Sequence, residues 1–215
     1  MDAEACRAWI TSAARVIDIN RDHLTQLDAA IGDADHGINL ARGFTAAVGA
    51  LEAREWRAAP PMTPGRILVL TGNMLIATVG GAAGPLYGMA FRRAGKSLGT
   101  SADVDLPGLS GALDSALAGA QKLGAAVEGD KTMVDVLAAG TRAFSKAIAE
   151  GASQDDALSA LAEAAAAASV ATIAMRALKG RASYLGARSV GHEDPGAAST
   201  ALILGALRDA ARPRR

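Results

Sequence analysis

The run Asp28-Ala-Ala-Ile-Gly32-Asp33-Ala-Asp35-His36-Gly37-Ile38-Asn39 holds three carboxylates close together in the chain. Hard divalent cations take oxygen ligands, and Mg²⁺ in particular is held by a few carboxylates together with water and substrate phosphates. Asp33 and Asp35 flank a single alanine in a glycine-bounded turn, and Asp28 closes the segment before it. Three short side chains so placed reach one point. Asp and Asn are also common helix caps, so spacing alone leaves metal ligation and capping both open. An EF-hand is excluded, because its twelve-residue loop with a closing Glu is absent.

Gly80-Gly81-Ala82-Ala83-Gly84-Pro85 reads as a turn that enters a helix. Glycine lets backbone approach a ligand, and the free amides of a helix N-terminus attract phosphate; a tight packing turn between helices reads the same way. It is not a Walker A loop, since no Gly-Lys-Ser/Thr follows and no strand precedes it. Three further polar loops are rich in glycine: Gly129-Asp130-Lys131-Thr132-Met133, Gly180-Arg181-Ala182-Ser183-Tyr184-Leu185-Gly186 and Gly191-His192-Glu193-Asp194-Pro195-Gly196. Singly, each is capping and turn chemistry. Together they bring Lys131, Arg181, Arg188 and His192 to helix ends, a set suited to a polyphosphate.

The elements that must position these loops are helices. Trp9, Ile10, Ala13, Val16, Ile17, Leu24 and Leu27 recur at three- and four-residue steps up to a loop at Gly32. A second helix carries Leu40, Phe44, Val48 and Leu51 and stops before Pro60-Pro61; Thr63-Pro64 then caps a third. Pro85 opens a fourth helix, Pro107 a fifth and Thr132 a sixth, while Ser153 with Asp156 resembles a capping box before an alanine-rich seventh. Asp194 and Pro195 start the eighth. Arg66-Ile-Leu-Val-Leu70 has strand-like residues but follows a helix start, so it is read as buried helix. The expectation is all-α: an antiparallel eight-helix bundle or barrel with the site in the loops at one end, residues 1–215 forming one domain, and Gly99 to Asp105 an exposed loop.

Composition removes several function classes. Lys plus Arg equal Asp plus Glu at 22 each, so no global field draws the chain to nucleic acid or an anionic membrane, and the basic Ala-Arg-Pro-Arg-Arg end is read as a solvated tail. Ile67 to Phe91 is uncharged and long enough to span a bilayer, but Gly80-Gly81 and Gly84-Pro85 at its centre would leave backbone groups unpaired in lipid. Two helices about a bend are expected instead. The lone Cys6 forms no internal disulfide, and Met-Asp-Ala-Glu-Ala-Cys lacks a signal-peptide pattern, which makes the cytoplasm the expected location.

Gly32-Asp-Ala-Asp-His-Gly37, Gly80-Gly-Ala-Ala-Gly-Pro-Leu86, Gly129-Asp-Lys-Thr-Met133 and Gly180-Arg-Ala-Ser-Tyr-Leu-Gly186 through Asp194-Pro-Gly196 resemble, in order, the motifs of the L subunit of dihydroxyacetone kinases. The resemblance implies an eight-helix barrel with ADP or ATP at one end and two Mg²⁺ ions bridging phosphates to Asp28, Asp33 and Asp35. It implies nucleotide contacts from His36, Gly37, Ile38, Asn39, Ala82, Ala83, Gly124, Met133, Arg181, Asp194, Pro195 and Gly196. Met133 would flank the adenine, and Arg181 would act catalytically by neutralising the moving phosphoryl group. The acceptor, dihydroxyacetone, would sit covalently on a histidine of a separate K subunit. No residue of this chain would be phosphorylated: His36 and His192 are read as nucleotide or loop contacts and His23 as a plain helix residue.

Within the resembling family the donor is either ATP from solution or bound ADP recharged by a phosphotransferase-system protein. A homodimer or hetero-oligomer is the expected assembly. Two positions depart from the pattern. Ala83 stands where the family usually has serine, which removes a hydroxyl contact but keeps the amide; Glu128 replaces a proline, which should loosen its loop. An alternative use of the same site is an ADP-sensing partner of a transcription regulator.

Overall fold

In the computed structural model, residues 1–53 and 61–211 are described. Pro60 and the last four residues of the basic tail, 212–215, lie outside them. Side-chain caps fix where most helices start. Asp2 accepts the Ala5 amide ahead of α1 (Ala3–Ile19), Thr63 that of Arg66 ahead of α4 (Pro64–Thr78), and Asp105 that of Gly108 ahead of α6 (Leu106–Gly124). Between these lie α2 (Arg21–Ile31), α3 (His36–Glu52) and α5 (Ala83–Leu98); α7 (Met133–Ala149), α8 (Gln154–Ala171) and α9 (Pro195–Ala211) follow. Short 3-10 stretches at Thr172–Ala174 and Arg181–Ser189 join α8 to α9. No strand occurs among the described residues, and Arg66 to Leu70 is helix within α4.

The structure corrects several boundaries. The first helix breaks at Asn20, whose side-chain amide donates to the Val16 carbonyl at 2.8 Å, and α2 starts afresh at Arg21. Pro85 does not open α5, which begins at Ala83, and Pro107 stands one residue inside α6. Ser153 accepts the Asp156 amide at 3.2 Å and donates to the Asp156 carboxylate at 2.7 Å, which is half of a capping box. A complete box sits instead on α7: the Thr132 hydroxyl accepts a first-turn amide while Asp135 accepts the Thr132 amide at 2.7 Å. In the 99–105 loop Val104 is buried and the rest largely exposed.

Eight helices close a ring: α1 packs on α3 and α9, and from α3 to α9 each helix packs on the next, with α2 lying against α3 and α9. The core is aliphatic and alanine-rich around a small aromatic centre. Phe91 of α5 meets Trp9 of α1 at a 5.7 Å centroid distance and Phe44 of α3 edge-on at 5.9 Å, and the Trp9 indole donates to the Ile203 carbonyl of α9 at 3.0 Å. Helices α4 and α5 approach closely: a methyl on Gly72 would stand 2.6 Å from the Gly88 carbonyl and one on Gly65 2.7 Å from that of Gly95. Gly65 and Gly72 on α4 and Gly88 and Gly95 on α5 stand seven residues apart, and each leaves room for backbone or a side chain of the other helix. The uncharged 67–91 run is therefore two crossing helices about a turn. Among the described residues one stretch, Gln154–Ala174, is long and apolar enough to cross a membrane, and its Ala157, Leu158, Leu161 and Ala165 are buried in the barrel.

Candidate functional site

Alternating helix direction brings the starts of α3, α5, α7 and α9 to one end of the barrel, where α2 and α6 finish; a cavity of about 430 Å³ opens among them. Helix N-termini present unpaired amides and partial positive charge, so this end favours anions before any side chain is considered. Three of the four N-termini are satisfied internally. Asp28 Oδ2 accepts the amides of Asp35 and His36 at the start of α3 (2.9 and 3.1 Å), Thr132 and Asp135 close α7, and Asp194 accepts the Ala197 amide on α9 at 2.8 Å. Helix α5 alone has no side-chain cap, because Ala82 fills its N-cap position and Gly81, at φ +63°, turns the chain into it. Ala82, Ala83 and Pro85 of this turn line the cavity, Ala83 without a hydroxyl and Pro85 without an amide proton.

Opposite stands the acid group. One carboxylate oxygen each from Asp28, Asp33 and Asp35 lies within 4.8 Å of the other two. Capping and ligation are thus not exclusive at Asp28, which is buried, holds the start of α3, and still belongs to the cluster. Asp35 occupies the N-cap position of α3 but makes no cap bond, which leaves its oxygens to the cavity. Asp33 receives the Arg181 guanidinium at 2.9 Å across an exposed pair. Three like charges in one spot repel unless a cation joins them, and an all-oxygen set of this size suits a hard divalent ion. The Gly32 turn is part of the geometry: a methyl there would meet Asp28 Oδ1 at 1.9 Å.

Behind the acids runs a neutral polar network. His36 Nε2 pairs with Ser199 Oγ at 2.8 Å, and the Tyr87 hydroxyl contacts Ser199 Oγ and Thr200 Oγ1, each at 2.7 Å, and the Gly196 carbonyl at 2.8 Å. Burial holds the His36 imidazole below its usual pKa, against the pull of Asp28, Asp35 and Asp33. Asp194 is pushed up to about 7 by burial, opposed by the Ala197 amide and by Lys131. The remaining wall is apolar, formed by Ile31, Leu86, Leu123, Ala126, Met133 and Val134, a slot that suits a flat base beside the phosphate end.

Most residues read from the sequence meet at this cavity: Asp28, Asp33, Asp35, His36, Ala82, Ala83, Gly124, Met133, Arg181, Asp194, Pro195 and Gly196 all line it. Gly37, Ile38 and Asn39 do not. Gly37 packs on the α2 backbone at Arg21, Ile38 is exposed, and Asn39 is buried where its Oδ1 accepts from Arg42 at 2.8 Å. Of the four cations expected around a polyphosphate, Arg181 and Lys131 line the cavity, Lys131 with its ammonium turned onto backbone carbonyls, whereas His192 is exposed and offers only its carbonyl to that ammonium, and Arg188 is exposed outside the cavity. Glu128 does not free its loop, since Arg142 grips its carboxylate with two bonds of 2.9 Å. Lys179, Tyr87 and Leu123 line the cavity without having been singled out. The signal for Tyr87 was its being the one phenol in the uncharged 67–91 run; Lys179 had none beyond standing next to Gly180-Arg181.

The DAK2 domain family matches residues 30–209. The chain is similar to the PEP-dependent dihydroxyacetone kinase, ADP-binding subunit DhaL, of Escherichia coli (strain K12), at 39% identity over 204 residues and 95% of each chain. It is similar also to the PTS-dependent dihydroxyacetone kinase, ADP-binding subunit DhaL, of Lactococcus lactis, at 36% identity over 199 residues and 93% of each chain. Among solved structures, the dihydroxyacetone kinase from C. freundii in complex with AMP-PNP and Mg²⁺ superposes with a TM-score of 0.69 at 25% identity, over 94% of this chain and 33% of that one. This chain therefore spans about a third of that kinase chain.

Proposed function

The chain belongs to the DAK2 domain family, and from that premise we propose that it is the nucleotide-binding subunit of a dihydroxyacetone kinase, a phosphotransferase. The observation that carries the reading is the meeting, in one cavity, of three carboxylates, one uncapped helix N-terminus and an arginine. The α5 amides bind phosphate oxygens, and Met133 with Leu123 and Leu86 encloses the base. Asp28, Asp33 and Asp35 would hold Mg²⁺, for which two ions are proposed; bound there, Mg²⁺ supplies neutralisation of phosphate charge. Arg181 stands where the outer phosphate would lie and shares its charge between Asp33 and that group. His36, kept neutral by burial, holds a hydrogen bond to Ser199 and so fixes α3 against α9.

The chain contributes no acceptor site to this reading, so a dihydroxyacetone-binding K subunit is the proposed partner, in the cytoplasm. The relatives named PEP-dependent and PTS-dependent favour ADP as a retained coenzyme, recharged by a phosphotransferase-system phosphoprotein, over exchange of ATP. They are kinase subunits, and the alternative of an ADP-sensing regulator partner has no support among them. The test is turnover. The purified chain with ADP, Mg²⁺ and a phosphoryl donor should not phosphorylate dihydroxyacetone until a K subunit is added; turnover by the chain alone would refute the division of labour.

A further inference from the structure

We infer that Lys131 is a positioning residue, whose buried ammonium gathers the backbone of the 172–192 segment and thereby holds Arg181 against Asp33 at the edge of the acid cluster. Its Nζ donates to the carbonyls of Thr172 (2.9 Å), Met175 (3.1 Å), Ser189 (2.7 Å) and His192 (2.5 Å), and the residue is 1% exposed. Three protons serve four acceptors, so at least one is shared, and the charge sits inside a cage of carbonyl dipoles. The segment needs such an anchor. Between α8 and α9 it has only 3-10 turns, and its apolar packing is a small cluster of Ala177, Ala182 and Leu185 on Ile31, apart from the barrel core. Its other ties are few and polar, such as the Leu178 amide on the Asp130 carbonyl at 3.1 Å and the Ala177 amide on Ser189 Oγ at 2.9 Å.

A second observation is independent of these bonds. Lys131 has φ +61°, a left-handed conformation that a residue with a Cβ adopts at a cost and that glycine adopts freely. The backbone there favours glycine, and a lysine in that place is accounted for by what its side chain reaches. Arg181 lies between the Met175 and Ser189 anchors, with its guanidinium 2.9 Å from Asp33 Oδ2. Fixing both anchors fixes the point from which Arg181 extends. Lys131 thus acts on phosphate through Arg181 and not by touching it, a role that rests on the kinase reading above.

Lys131→Gly suits the backbone and leaves a cage that an exogenous ammonium ion can fill. In the full chain, trypsin cleavage after Arg176, Lys179, Arg181 and Arg188 should quicken at least about tenfold, and ammonium chloride, but not tetramethylammonium, should restore resistance. With the K subunit, kcat should fall at least about tenfold while the dissociation constant for ADP with Mg²⁺ changes about threefold or less, and ammonium should rescue kcat. The double variant with Arg181→Ala should be no slower than Arg181→Ala alone. Lys131→Met, which keeps the stem, should show the same losses without rescue. Unchanged cleavage, or rate effects of the two substitutions that multiply, would overturn the inference. Cleavage is read on the chain by itself, so it decides the anchoring even if the wild type proves unable to transfer phosphate, an outcome that would fell the kinase reading instead.

Discussion

A single methyl at Gly32 would stand 1.9 Å from Asp28 Oδ1, closer than any real contact, so Gly32→Ala must displace the one acid that both caps α3 and completes the cluster. The expected result is a loss of at least about tenfold in Mg²⁺-dependent ADP affinity by calorimetry. Asp194 supplies a pH test. Its pKa is raised from 3.8 to about 7, so between those values the folded state holds a proton that the unfolded state has lost, and stability falls as pH rises through the window. Urea melts should show the wild type losing up to about 1 kcal/mol per pH unit relative to Asp194→Asn between about pH 4 and 7, with no further relative loss above it. Equal slopes would contradict the burial of that carboxyl. At this scale the sequence was informative wherever residue type and local spacing sufficed, as for the acids and the 82–83 and 194–196 turns. It misled at Lys131, because a charge in a loop motif does not say which way its side chain points. The Tyr87–Ser199–His36 network joins residues more than a hundred positions apart, and no local pattern announces it.

Caps and glycines decide the elements. Pro64 after Thr63 and Asp194 before Pro195 were legible because each is a local match between a side chain and the next turn's amides, whereas Asp105, read as exposed loop, proved to be the cap of α6. The break at Asn20 was not, because Asn inside a periodic apolar run reads as an ordinary exposed position until its amide is seen on the Val16 carbonyl. The Gly80-Gly81 and Gly84-Pro85 bend was visible in the sequence as a reason against a membrane span, but the contact made at Gly65, Gly72, Gly88 and Gly95 needed the crossing itself. Gly72→Leu should force these helices apart and lower stability by about 1–3 kcal/mol, measured by denaturant unfolding, with the nucleotide end less affected than the α4–α5 crossing. No change in stability would mean that the two helices do not meet there.

For the whole molecule, the consequence of ring closure is that alternating helices deliver their N-termini to one end, and three of the four are capped by the protein's own acids and hydroxyls. The fourth, on α5, has no side-chain cap, which is where the proposed function seats a phosphate. The all-α class followed from apolar periodicity, but helix number did not, because the first periodic run is two helices, α1 and α2; closure depends on α1 meeting α9 across nearly the full length of the chain, which periodicity does not encode. The measurement that bears most directly on this account is calorimetry of ADP, with and without Mg²⁺, on the wild type and on Asp33→Ala. The account predicts binding by the wild type that requires Mg²⁺ and weakens at least about tenfold in Asp33→Ala. A folded wild type that fails to bind ADP with Mg²⁺, or an Asp33→Ala variant that binds as tightly as the wild type, would contradict it.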